Sequence, residues 1–107
     1  MQSFKRIGLQ RRRADLSYEQ FVAHWVNVHA ELAKRLPKLR RYSVNLIDRE
    51  RYPHFEYDRF SELWFDSQAD FETAFSSPEG VRLLSDLKNY VEGVDPVFVE
   101  EHQIVWP

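Results

Sequence analysis

Helical and strand-like residue patterns alternate along this chain in an order that restricts the folds open to it. Mixed or alternating apolar runs predict strands over residues 4–10, 39–48, 60–66 and 97–106, with a charged loop at 49–58. Helical periodicity predicts a first helix over 18–36, and start signals predict a second helical region from Ser67 with a restart at Ser77-Pro78. The predicted order is therefore strand, helix, strand, strand, helix, strand.

This order has a simple three-dimensional solution. Two strand–helix–strand units with right-handed crossovers give a four-stranded antiparallel sheet with both helices on one face. The sequence thus predicts an α+β fold of the ferredoxin-like βαββαβ type. A length of 107 residues fits one domain, residues 1–107, without a second core.

The predicted third strand carries large side chains on both of its faces. Leu63 and Phe65 alternate onto one face, and Phe60, Glu62 and Trp64 alternate onto the other. Such a pattern is typical of a sheet that is covered on both sides. We expect a second copy of the chain to cover the face that the helices leave open, which would form a dimeric α+β barrel.

Composition excludes several classes of function. The chain has no cysteine, which removes disulfides, thiolate metal sites and cysteine nucleophiles, and three glycines cannot form a phosphate loop. A net charge of -2 argues against a nucleic-acid-binding face, although basic clusters at 11–13 and 34–41 would attract an anionic small molecule. No leader or membrane-spanning pattern is visible, so we expect a cytoplasmic protein without membrane partners.

Several segments of the chain resemble EthD-domain proteins, and together they extend over nearly its whole length. They are Phe4–Leu9, Ala14–Ser17, Phe21–Trp25, Val28–Ala30, Leu36–Tyr42, Glu62–Ser67, Phe71–Gly80 and Val99–His102. One departure is Lys38, which stands in a turn where the family often has glycine.

The resemblance implies a dimeric α+β barrel and a role in small-molecule metabolism. Members of the family are similar to methylmuconolactone methylisomerase and to a protein needed for the degradation of ether fuel additives. Fungal relatives act on polyketide-type aromatics as dehydratases, decarboxylases or oxygenases. These reactions typically need no metal or organic cofactor, and their diversity means that resemblance defines the fold better than the reaction.

His29 is the first candidate catalytic residue. At about 100° per residue, it lies about 40° from the centre of the apolar face that Trp25, Leu32 and Leu36 define, so it should point toward the sheet. A histidine exchanges protons near neutral pH, which suits isomerisation or elimination next to a carbonyl. An alternative is a structural core histidine, but the resemblance favours catalysis, because the methylisomerase has a comparable histidine.

Tyr42 and Glu62 are the other candidate catalytic residues. The Tyr42 hydroxyl could donate a hydrogen bond to a developing oxyanion, or the ring could simply pack under the first helix. Glu62 lies mid-strand among aromatic residues, so it should either pair with a cation such as Arg6 or have a raised pKa suited to acid–base work.

The predicted substrate-binding residues are mostly aromatic. Trp25, Trp64 and Phe65 would form apolar walls around a ring-shaped ligand, or pack as ordinary core, and Asn45 could orient a polar group. We expect no metal site, because His24 and His29 are about 140° apart around an α-helix. A single axial histidine for haem is a weaker alternative.

Together these observations predict a homodimeric, cofactor-independent enzyme for a small hydrophobic or anionic aromatic, lactone or polyketide-like ligand. The expected chemistry is isomerisation, elimination or a related proton transfer. Two alternatives stay open: a non-catalytic ligand-binding or accessory dimer that supports an oxygenase or cytochrome P450 system, and a cofactor-free monooxygenase.

Overall fold

Four strands form a single sheet in the computed structural model, which describes residues 3–107. The strands are β1 (Phe4–Arg12), β2 (Arg41–Leu46), β3 (Arg59–Phe65) and β4 (Val91–Val99). Their order across the sheet is β2-β3-β1-β4, and every neighbouring pair is antiparallel. The fold is therefore α+β with the ferredoxin-like arrangement that the order of elements predicts.

The helices lie on one face of this sheet. They are α1 (Tyr18–His24), a π-helical turn (Trp25–His29), α2 (Ala30–Ala33), α3 (Gln68–Ser76), α4 (Pro78–Asp86) and a 3₁₀ turn (Leu87–Asn89). We refer to the continuous stretch from α1 to α2 as the first helix. No helix among residues 3–107 is long and apolar enough to cross a membrane.

The first helix begins where the sequence predicts and then departs from ideal α-helical geometry. Ser17 and Gln20 form a capping box that fixes its start. At its centre the backbone N–H of Ala30 bonds to the carbonyl of Trp25, five residues back, as in a π-helical turn. This turn changes the helical phase, so Val28, which the period places on the apolar face, is 39% exposed, while His29 is buried as predicted.

The junction between α3 and α4 brings the end of α4 close to the first helix. Ser77 ends α3 and caps α4, accepting from the backbone N–H of Gly80. A Cβ at Gly80 would lie 2.3 Å from the carbonyl oxygen of Ala74, so only glycine allows this close turn. The position of α4 in turn places Asp86, its last residue, beside the first helix.

Two clusters of buried side chains fill the space between the helices and the sheet. One contains Ala33, Leu36, Leu63, Phe65, Ala74 and Leu83, and the other contains Phe21, Tyr90 and Val91. Side chains of the first cluster and side chains that pack against the second line the same polar cavity, so apolar core flanks this cavity on two sides.

The last strand differs from the sequence prediction. It spans Val91–Val99 rather than 97–106, and Pro96, which we expected to precede the strand, lies within it opposite Gly8. A proline is tolerated here because β4 is an edge strand, where one backbone donor is not needed for the sheet. Residues beyond Val99 leave the sheet.

The C-terminal segment 100–107 partly covers the face of the sheet that lacks helices. Glu101 accepts a hydrogen bond from Trp64 Nε1 at 2.9 Å, and the Arg41 guanidinium lies between the rings of Trp64 and Trp106. Trp64 is consequently only 6% exposed in a single copy of the chain. The expectation that only a second copy could cover Trp64 is therefore wrong.

The turn that follows the first helix contains the unusual backbone conformation of Lys38. Its φ is 65°, and it has the only positive φ of a non-glycine residue in the described part of the chain. This left-handed conformation favours glycine, because an L-residue there brings Cβ close to the following carbonyl. The residue at which the sequence departs from the family pattern thus keeps the backbone geometry of a glycine.

We predict that Lys38→Gly stabilises the protein by about 1 kcal/mol, since it relieves the left-handed strain and removes only an exposed 4.0 Å contact with Asp70. Urea unfolding measures the change. Arg40→Gly, at an exposed position without positive φ, is the matched control and should lower the free energy of unfolding. Equal effects of the two substitutions would contradict the prediction.

Candidate functional site

A small cavity lies between the first helix, α4 and the helix-bearing face of the sheet. Its volume is about 20 Å³, enough for one water molecule or one small polar group. Its polar lining residues are Arg6, Gln10, His29, Tyr42, Arg59 and Ser61. The apolar part of the lining includes Leu84, which is 41% exposed, so the lining extends to the surface of the protein.

His29 is held in this cavity by a buried carboxylate. Its Nδ1 lies 3.0 Å from Asp86 Oδ2, and both side chains are about 6% exposed. Asp86 also contacts His24 Nε2 at 2.8 Å and accepts from Asn89 Nδ2 at 3.0 Å. The carboxylate therefore connects the first helix to the end of α4.

The sharing of Asp86 by two histidines corrects one prediction. Residues five apart point in different directions on an α-helix, which is why we expected His24 and His29 not to share a face. The π-helical turn Trp25–His29 adds one residue to the local turn, so both rings reach the same carboxylate. The ring of Tyr90 packs against both of them, with centroids 5.0 and 4.9 Å away.

Burial controls the protonation of this pair. Desolvation lowers the pKa of His29 to about 4, and the positive charge of Arg59 also lowers it, while the Asp86 contact opposes the change. Desolvation of Asp86 opposes its ionisation, but the hydrogen bonds from Asn89, His24 and His29 outweigh it and lower the pKa of the carboxyl. At neutral pH the pair is a neutral imidazole beside a carboxylate.

Tyr42 faces the same cavity as His29, and Trp25 lies next to it. The hydroxyl of Tyr42 and the indole Nε1 of Trp25 are buried, and neither has a hydrogen-bond partner among residues 3–107. Trp25 packs its ring 4.8 Å from the guanidinium carbon of Arg59. These two groups are donors that a bound ligand could use.

Sequence reasoning missed Arg59, Gln10 and Ser61. Arg59 is fully buried and donates to the Tyr90 hydroxyl at 3.1 Å, while Gln10 lies opposite it in the sheet and is 3% exposed. The signal was present, because Arg59 and Ser61 alternate in phase with Leu63 and Phe65 on the inner face of β3. The predicted third strand covers only 60–66, so Arg59, the first residue of β3, lies outside it.

Glu62, Asn45 and Trp64 lie on the opposite face of the sheet and do not reach the cavity. Glu62 accepts from Asn45 Nδ2 at 2.8 Å and pairs with Lys5 Nζ at 2.8 Å. Its cation is therefore Lys5 rather than Arg6. Although burial opposes ionisation of Glu62, the hydrogen bonds from Lys5, Asn45 and Ser43 outweigh it and lower its pKa, so the expectation of a raised pKa is wrong.

Phe65 lies on the inner face but not at the cavity. It is fully buried and packs edge-on against Phe71 and Phe75, with centroids 5.7 and 6.3 Å away. Its role is therefore in the apolar core. Among the described residues, no group of three or more histidine, aspartate or glutamate side chains is arranged to hold a metal ion.

The fold and the site define a small α+β protein with a polar cavity that contains a buried imidazole. A family model for the EthD domain matches residues 13–93, more than half of the chain. The chain belongs to the EthD family.

The relatives agree with this assignment. An uncharacterized 11.0 kDa protein in the thcB-thcC intergenic region of Rhodococcus erythropolis is 29% identical over 87 residues, covering 79% of this chain and 84% of that protein. An EthD family protein from Bacillus halodurans superimposes with a TM-score of 0.82 at 23% identity, over 95% of this chain and 100% of that one.

Two further structures show the breadth of the fold. A dimeric protein of unknown function from Bacteroides fragilis has a TM-score of 0.71 at 21% identity, over 92% of this chain and 96% of that one. The hydroxynitrile lyase from Passiflora edulis has a TM-score of 0.76 at 16% identity, over 98% of this chain and 97% of that one. At these identities the likeness concerns the fold.

We predict that His29 makes stability depend on pH. Because the unfolded imidazole titrates near 6.5 and the folded one at about 4, the unfolded state binds more protons between these values, and the free energy of unfolding rises with pH across this range. The rise attributable to His29 is about 2–3 kcal/mol. His29→Asn, whose amide can keep the bond to Asp86, should remove this part of the rise.

Urea unfolding at several pH values between 4 and 7 measures the difference between wild type and variant. His102→Asn, at an exposed histidine, is the control and should leave the slope unchanged. An unchanged slope in His29→Asn would contradict the prediction, because His29 would then bind as many protons in the folded protein as in the unfolded one.

Proposed function

We propose that the chain is an enzyme of small-molecule metabolism that catalyses proton transfer at the His29 cavity without a cofactor. The reaction is an isomerisation or elimination next to a carbonyl group. The observation that carries this proposal is the neutral, buried imidazole of His29, oriented by Asp86 and lining a cavity with the unpartnered hydroxyl of Tyr42.

The geometry assigns a role to each nitrogen of His29. An ionised carboxylate only accepts hydrogen bonds, so Nδ1 donates its proton to Asp86, which leaves Nε2 with a free lone pair. That lone pair can take a proton from a carbon next to a substrate carbonyl. Asp86 fixes the tautomer and stabilises the imidazolium that forms.

Tyr42 would complete the reaction. When the proton leaves carbon, negative charge moves to the carbonyl oxygen, and the Tyr42 hydroxyl donates a hydrogen bond to it. Return of the proton from His29 to another carbon gives an isomer, and departure of a leaving group from the neighbouring carbon gives an elimination. Leu84, at the exposed end of the lining, and Trp25, which packs on Arg59, would border the body of the substrate, because the cavity itself accepts only a small group.

The comparisons support this class of chemistry at a coarse level. EthD membership places the chain in a family associated with small-molecule conversion, and a hydroxynitrile lyase has the same fold.

We also propose that two copies of the chain associate through the open face of the sheet. This face carries Ile7, Leu9 and Phe60 beside the Lys5–Glu62 pair, and the segment 100–107 covers only part of it. A fold neighbour from Bacteroides fragilis is described as dimeric. Pairing of two sheets face to face would bury the remaining apolar side chains.

Proton abstraction can be tested without knowledge of the true substrate. We expect the wild type to catalyse exchange of protons next to the carbonyl for deuterium in some members of a panel of aryl ketones and lactones in D₂O, followed by NMR. His29→Asn should reduce that exchange about 10²–10⁴-fold, and Tyr42→Phe about 10²-fold, because they remove the base and the oxyanion donor. Glu62→Gln, on the other face, should change little.

Binding of panel compounds without any exchange would favour the non-catalytic ligand-binding alternative. An equal loss in Glu62→Gln and His29→Asn would contradict the assignment of the site to the inner cavity.

Association is tested by light scattering. The wild type should give a mass of twice the 12.9 kDa chain, and Leu9→Lys should shift it toward one chain mass because it places a charge in the apolar part of the open face. Val81→Lys, at a 55% exposed position on α4, is the matched control. A dimer that survives Leu9→Lys but not Val81→Lys would place the interface on the helices.

A further inference from the structure

Arg59 is a buried cation without a counter-ion. Its side chain is fully buried and lines the cavity, and its Nε and Nη2 have no hydrogen-bond partner in the described part of the chain. Nη1 donates to the Tyr90 hydroxyl at 3.1 Å. Among residues 3–107, no carboxylate lies within 4.0 Å of the Arg59 guanidinium, whereas the nearby Asp86 is occupied by His24, His29 and Asn89.

Such an arrangement is costly in a folded protein. A buried charge is normally paired, because its desolvation otherwise destabilises the fold by several kcal/mol. Gln10 Oε1, opposite Arg59 in the sheet, is also unpartnered among residues 3–107, but a neutral oxygen with two lone pairs can accept from at most two of the four free N–H groups and does not neutralise the charge. The charge therefore has no partner of opposite sign within the described part of the chain.

Other groups at the cavity increase this excess of donors. Arg6 also lines the cavity, packs 5.0 Å from the ring of Phe75, and has a pKa lowered by burial. The Tyr42 hydroxyl, which also lines the cavity, is a donor without a partner among residues 3–107. Because His29 is neutral at neutral pH, the cavity contains two cationic side chains and no anionic one.

We infer that the cavity binds a ligand through a carboxylate, which pairs with Nε and Nη2 of Arg59. This inference rests on the proposed function for the identity of the cavity, and it adds the substrate class: a small carboxylic acid. The planar fork of a guanidinium matches the two oxygens of a carboxylate. The cavity volume of about 20 Å³ admits only the small charged group of such a ligand.

The anchoring of a carboxylate at Arg59 would also serve the reaction. Arg59, His29 and Tyr42 line one cavity, so an acid held by its carboxylate presents its neighbouring carbon atoms to His29. The two-point contact between the carboxylate and the guanidinium would then fix the orientation of the substrate relative to His29. Arg59 is a binding residue in this scheme, and His29 performs the proton transfer.

Benzoate is a suitable probe, with benzamide as its neutral isostere and phenylphosphonate as its tetrahedral analogue. We expect wild-type protein to bind benzoate at least tenfold more tightly than either analogue in an NMR titration. Arg59→Met should weaken benzoate binding 10–100-fold without changing benzamide binding. Arg59→Lys keeps the positive charge but loses the planar fork, so it should weaken benzoate binding less than Arg59→Met does. Arg82→Met, at an exposed arginine on α4, is the control.

Equal binding of benzoate and benzamide by the wild type would overturn the inference, as would unchanged benzoate affinity in Arg59→Met or Arg59→Lys. Tighter binding of phenylphosphonate than of benzoate would replace the carboxylate by a tetrahedral anion and so also overturn it. The two proposals fail separately: unchanged deuterium exchange in His29→Asn, while wild-type protein still prefers benzoate to benzamide, would refute the catalytic proposal alone. Loss of that preference, with exchange in the neutral ketones still dependent on His29, would refute the carboxylate site alone.

Discussion

The buried carboxylate of Asp86 is the interaction on which the site depends. It is the last residue of α4, yet it receives contacts from His24 and His29 on the first helix and from Asn89 on the following turn. Desolvation would favour a neutral acid, and these donors keep it ionised instead. One side chain thus joins two helices, selects the tautomer of His29 and provides the electrostatic partner for a protonated imidazole.

The cavity is polar at a place where a 107-residue domain could instead have more apolar core. Several buried polar atoms have no hydrogen-bond partner among residues 3–107, and each such atom costs stability. They belong to Gln10, Trp25, Tyr42 and Arg59. The two apolar clusters on either side provide the compensating burial. Buried polar groups without partners, in a core that is otherwise apolar and well packed, are typical of a functional site.

Sequence periodicity predicted the order of elements and the inward position of His29, because both depend on regular repeats. It failed where geometry departs from regularity: the π-helical turn brings His24 to Asp86 and turns Val28 outward. The alternation of β3 places Glu62 and Phe65 on opposite faces of the sheet. The prediction of Glu62 as a catalytic residue beside His29 followed from its chemistry alone, and the two residues lie on opposite faces. Burial of Arg59 is not predicted by composition, because arginine is rarely fully buried, and its position just before the predicted strand gives no other signal.

Pro96 has a consequence for how copies of this chain can meet. β4 is one edge of the sheet, and an edge strand offers unpaired backbone groups to which the strand of another molecule could add. A proline at the middle of β4 lacks an N–H and interrupts that row of groups. Pro96 therefore disfavours the addition of strands from further molecules to this edge, and so disfavours fibre-like aggregation.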